Sequence, residues 1–149
     1  MGTLGSFSKK MRRASKAVEY RADALVKDVA KGILQAVVTD TPVDVGTAKS
    51  NWQVSLNSEA SGTRTAYVPG KKGSTGLDNI IAAVSIGDDH IDQYNGGDEI
   101  HITNNLPYIT DLNNGTSKQA PPGYVQDAIL EAIGKIHAAG FKILHNIEE

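Results

Sequence analysis

Four histidines, His90, His101, His137 and His145, are the side chains best suited to bind a metal or move a proton near neutral pH. Their spacing favours neither. His101 alternates with Ile100 and Ile102, so on a strand it faces away from both. His137 and His145 stand eight apart on one helix, about two turns, too far to share a metal without a third group. No H-E-x-x-H pair occurs, and surface histidines are expected. Asp88, Asp89, Asp92, Asp98 and Glu99 gather around a glycine turn. Calcium loops place their oxygens at alternate positions, which Asp88-Asp89-His90 does not do, so the expectation is a solvated acidic face.

Gly70-Lys71-Lys72-Gly73-Ser74-Thr75-Gly76 has the glycines and lysines of a phosphate loop but not their order, because Ser74 follows Gly73 rather than a lysine. A flexible loop is expected there. There is no G-x-S-x-G elbow, and the absence of cysteine removes thiol nucleophiles and thiolate zinc sites. The remaining charged feature is a basic arm. Lys9, Lys10, Arg12, Arg13 and Lys16 put five positive charges into the first eighteen residues with no acid among them. The net charge is −2, so the rest of the chain carries −7. The arm has no interleaved aromatics to stack on bases, which favours an acidic protein partner over a nucleic acid.

These residues must be positioned by few elements. Val18, Ala22, Leu25, Val29, Ile33 and Val37 recur at helical spacing and predict a long amphipathic helix, capped by Ser8 and ended by Pro42. Residues 1–7 are expected to be mobile. Thr41 to Ser50 reads as a turn into a strand over Asn51–Leu56, with Trp52, Val54 and Leu56 on one face. Residues 57–76 read as a variable hairpin or loop with one β-prone piece, Thr65–Val68. Thr75 and Asp78 form a possible capping pair. Leu77, Ile80, Ile81, Val84 and Ile91 predict a second helix, with a break at Gly87. Asn95-Gly96-Gly97-Asp98 is a tight turn into a strand at 99–104. The stretch 104–123 is dense in Asn, Gly and Pro, and reads as a loop built to hold one shape. Val125, Ile129, Ile133, Ile136, Ile143, Leu144 and Ile147 make the last helix.

The order is α+β, an antiparallel sheet packed by a long N-terminal helix, a middle helix and a long C-terminal helix, in a single domain across 1–149. The chain has 149 residues, with 40% apolar and 5% aromatic. That apolar share suits either a polar surface or a core face completed by another chain. No apolar run approaches the roughly 18 residues a membrane span needs, and the N-terminus has no signal-peptide core. A soluble protein made in the cytoplasm is expected.

Two segments resemble a known family. Thr41-Pro42-Val43-Asp44-Val45-Gly46-Thr47-Ala48, then Asn51-Trp52, is similar to the T-P-V-D-T-G…W signature of the tail-completion (neck, head–tail joining) proteins of long-tailed bacteriophages. Asn104, Asn105, Pro107 and Tyr108, followed by Gly115, Lys118, Gln119 and Pro121, is similar to that family's second signature. The departures are Val45, where threonine is usual, and Asn113-Asn114, where a glutamate and an aromatic are usual. The resemblance implies a structural virion protein at the head–tail junction, with no enzymatic activity and no cofactor. It implies a ring of copies of this chain, sixfold with twelvefold as the alternative. Its partners would be neighbouring neck and tail-terminator or tail-tube proteins, with DNA in the channel as a further contact and no membrane. The competing readings are a small DNA-contacting module acting through residues 9–16 and a small hydrolase using the acidic cluster.

Overall fold

In the computed structural model, which describes the chain over residues 4–147 and its side chains over 10–13 and 22–135, helix α1 spans Leu4–Asp40. Its 37 residues make it about 55 Å long. It begins earlier than the sequence suggests. Residues 4–7, expected to be mobile, are helical, and Ser8 lies inside the helix rather than capping it, because one glycine at position 5 costs only about 1 kcal/mol. Residues 1–3 lie outside the described residues. The helix ends at Asp40, two residues before Pro42, as steric exclusion of the α region before proline requires.

The turn after Pro42 contains one helical turn, α2 (Thr47–Ser50), entered through Gly46 at φ +95°. Strand β1 (Trp52–Leu56) follows and pairs antiparallel with β2 (Ile100–Asn104) in a two-stranded sheet. The register sets Trp52 opposite Asn104, Val54 opposite Ile102 and Leu56 opposite Ile100. Trp52 and Val54 are buried, and Leu56, Ile100 and Ile102 half-buried, so the expected core face of the sheet is correct. Between β1 and the next helix the chain makes no strand, and in the β-prone piece the Tyr67 N–H donates to the Ser50 hydroxyl and the Val68 N–H to the Asn79 amide instead of to a sheet edge.

Helix α3 (Gly76–Ile91) runs unbroken through Gly87. Gly87 is a contact, not a break. A Cβ there would overlap Leu34 and stand 3.0 Å from Val54 Cγ2, so the missing side chain lets α3 close onto α1 and β1. The expected Thr75–Asp78 capping pair does not form, because the Thr75 hydroxyl donates to the Val68 carbonyl at 2.7 Å. The loop after β2 holds a short helix, α4 (Ile109–Asn113), and α5 (Tyr124–Ile147) closes the chain.

The deepest line of burial includes Val37 and Ile91 of the predicted stripes but otherwise sits about one residue away from them. It runs through Ala30, Leu34, Val37 and Val38 on α1, Asn79, Ala83, Gly87 and Ile91 on α3, and Tyr124, Ala128 and Ala132 on α5. Small residues let the helices approach closely, and Val29, Ile80, Val84, Val125 and Ile129 are left half-buried at the seams. Leu25, Leu77, Ile81 and Ile133, read as core positions by periodicity, are exposed, as is Leu130. No helix among the described residues is long and apolar enough to cross a membrane.

Candidate assembly site

The C-terminal end of α1 is the junction at which both signature segments meet. Thr41 is buried, and its hydroxyl donates to the Val37 carbonyl at 2.6 Å while accepting the Trp52 indole N–H at 2.8 Å. The Tyr124 hydroxyl reaches the same oxygen at 3.4 Å. One threonine thus joins the end of α1, the sheet and the start of α5. Beside it the ammonium of Lys49, only 4% exposed, donates to the Val38 and Thr39 carbonyls at 2.9 and 2.8 Å. These are carbonyls that a helix end leaves without partners, and a cation there also meets the negative end of the helix dipole. Burial pushes the Lys49 amine down to about 8, against the attraction of Asp40.

Three primary amides then act as clips, each gripping both backbone groups of one distant residue. Asn51 accepts the Arg64 N–H at 2.9 Å and donates to its carbonyl at 2.8 Å. Asn79 does the same to Val68, at 2.9 and 2.8 Å, while its Oδ1 also accepts the Ser50 hydroxyl. Gln119 grips Val43, at 2.9 Å to its N–H and 2.8 Å to its carbonyl. An amide offers a donor and an acceptor side by side, so it satisfies a strand-like residue as a neighbouring strand would. The first two clips pin the irregular segment 57–75, and the third ties the second signature to the first.

The lookalike phosphate loop is hydrogen-bonded to the first signature. Asp44 accepts the Lys72 N–H on its carboxylate at 3.1 Å and the Gly73 N–H on its carbonyl at 2.8 Å, with Lys72 and Gly73 at positive φ. Gly46, which carries the turn of the first signature, has no room for a Cβ against the Asn79 amide. Pro42 and Gly46 are buried, Val43 is half-buried, and Asp44 is exposed.

In the second signature, Asn104 donates to the Ala48 carbonyl at 3.0 Å and Asn105 to the Ala60 carbonyl at 2.7 Å. Pro107 and Tyr108 are exposed, and partial burial raises the Tyr108 phenol. Gly115 adopts φ +95°, where a Cβ would stand 2.6 Å from Pro122 Cγ. Asn113, one of the departures from the family pattern, accepts the Val125 N–H at 3.0 Å and the Gly123 N–H on its own carbonyl at 2.6 Å, so it caps α5. Lys118 and Pro121 are exposed. A groove of about 550 Å³ lies between these parts, bounded by Asp40, Val43, Leu77, Gln119, Pro121 and Asp127.

Within the acidic cluster, Asp89, Asp92 and Glu99 are exposed, and Asp88 and Asp98 are half-buried. Lys31 of α1 holds the Asp92 carboxylate at 2.6 Å and depresses its pKa, and Asn95 and Asn57 lower that of Asp98 by hydrogen bonding. Burial raises Asp88. His90 bonds the Ile86 carbonyl at 2.8 Å and His101 meets Glu99 at 3.2 Å. The side chains of His137, His145, Lys9 and Lys16 lie outside the described residues. Among those described, no three His, Asp or Glu side chains group as metal ligands. Lys10, Arg12 and Arg13 are exposed on α1.

Sequence reasoning gave no role to Lys49 or Asn79, and named Thr41 only as the first residue of the first signature. Asn79 had a signal, since asparagine is unfavourable inside a helix and implies a specific use there. No family model, curated protein or solved structure matches the chain. The likeness to tail-completion proteins rests on the residues of the two segments.

Proposed function

We propose that this chain is a structural virion protein at a phage head–tail junction, a ring subunit that completes the tail and helps join it to the head. The observation that carries the reading is the convergence of the two signature segments, 76 residues apart at Gln119 and Val43, on one hydrogen-bonded junction. The residues of the resemblance serve shape. Pro42, Gly46 and Gly115 set backbone turns, Trp52 fills the core, and Asn104 and Gln119 tie segments together. Exposed Leu77, Ile81, Leu130 and Ile133 give such a subunit apolar surface for its neighbours to cover.

Removing the gene from a phage that carries it tests this. Filled heads and complete tails should then accumulate unjoined, and supplying the protein in trans should restore joined particles. Normal joining in its absence would defeat the proposal.

A further inference from the structure

The basic arm and the groove lie at opposite ends of one helix. Lys10, Met11, Arg12 and Arg13 are exposed, and among the described side chains of α1 the first that are partly covered are Asp23 and Ala24. The groove of about 550 Å³ is bounded by Asp40, the last residue of the same helix. At about 1.5 Å per residue the two ends are roughly 40 Å apart, so a continuous α1 cannot bring its own arm to its own groove.

The groove is chemically suited to such an arm. Val43, Leu77, Ile80, Pro121 and Tyr124 line it with apolar surface, and Leu77 is 69% exposed. Asp40 and Asp127 stand on its rim, exposed, and neither carboxylate forms a salt bridge or side-chain hydrogen bond among the described residues. The one cation in the lining, Lys49, is turned inward onto the Val38 and Thr39 carbonyls. Asp40 also borders a second groove of about 410 Å³ between α1 and α5, where Glu131 is already paired with Lys135 at 3.1 Å. The first groove is thus an apolar trough with two acids, Asp40 and Asp127, on its rim. By contrast, the acids at 92 and 98 are already engaged by Lys31 and by Asn57 and Asn95.

We propose that this trough receives the basic N-terminal segment of α1 from a second copy of the chain, making a head-to-tail contact. Met11 enters the apolar floor, and Lys10 and Arg13 meet Asp40 and Asp127. A contact between two different surfaces propagates from copy to copy, and closes into a ring when its rotation allows. Ring closure rests on the functional reading above. The contact itself rests on the charge and shape of the two ends.

Sedimentation velocity on the full chain tests it, with circular dichroism to show that each variant keeps its helices. The wild type should self-associate at 50 mM salt and weaken at least tenfold at 500 mM, because exposed charges are screened. Lys10→Glu with Arg13→Glu should weaken association at least tenfold, and so should Asp40→Asn with Asp127→Lys. An equal mixture of the two variants should associate again, since each supplies the surface the other lacks. Should the groove pair disturb folding, Asp127→Lys alone serves in its place.

A wild type that stays monomeric at several hundred micromolar would overturn the proposal. So would variants that associate like wild type, or a mixture that does not recover. Salt-sensitive, micromolar binding of a duplex DNA, lost in the arm variant while self-association persists, would assign the arm to nucleic acid instead. Any of these results, with the protein still required for joining heads to tails, would remove this contact and leave the functional reading standing.

Discussion

Gln119 holds Val43 by both backbone groups, 2.9 Å to the N–H and 2.8 Å to the carbonyl, across 76 residues of sequence. No other side chain carries a two-sided clip between the two signature segments among the described residues. Gln119→Leu should therefore free the turn at 42–44 from the loop at 117–121. The bonds are solvent-exposed, so the cost in stability should be only about 1 kcal/mol by urea denaturation. The effect on assembly should be larger, because both segments border the same groove.

Trp52 anchors the core from β1 and also donates to Thr41. Trp52→Ala should cost about 3–5 kcal/mol, the range for emptying a large buried aromatic site. A loss under about 1 kcal/mol in denaturant titration would contradict the burial. Thr41→Val isolates the second part, leaving the indole N–H and the Val37 carbonyl without that hydroxyl, and should cost about 1–3 kcal/mol.

Gly115→Val should be destabilising by about 1–3 kcal/mol, since φ is +95° and the new side chain meets Pro122. Lys118→Met, on the same loop, should leave thermal stability unchanged. A Gly115 variant as stable as wild type in a melting experiment would contradict the geometry.

Lys49 gives a pH dependence of definite sign. Its folded pKa is about 8, below the ordinary lysine value of 10.5, so between those values the unfolded chain binds more protons than the folded one. Stability should therefore rise as pH climbs from about 8 toward 10.5, by at most about 3 kcal/mol. Below pH 8 the contribution is flat and unfavourable. In Lys49→Met this rise should disappear from chemical denaturation curves taken across the same window.

The sequence made the architecture legible where a local rule acts alone. Proline at 42 fixes the end of α1, strand alternation fixes the core face of β1 and β2, and the Asn, Gly and Pro residues of 104–123 announce a shaped loop. Helix faces were read less well. Periodicity selects the stripe of large aliphatics, whereas the helices pack on the small residues beside it, such as Ala83, Gly87, Ala128 and Ala132. Helix-breaking propensity at Gly87 was overridden by what its missing side chain allows. The site was legible as two motifs but not as one place. The amide clips and the Lys49 cap join residues far apart in sequence, and no local pattern announces such pairs.

The most direct measurement is of the particle itself. Purified virions of a phage carrying this gene should be imaged with an antibody against the chain and their proteins quantified by mass spectrometry. The account predicts label confined to the junction between head and tail, at a small fixed copy number per particle. Particles with joined heads and tails that lack the protein, or label spread along the tail or over the capsid, would contradict it.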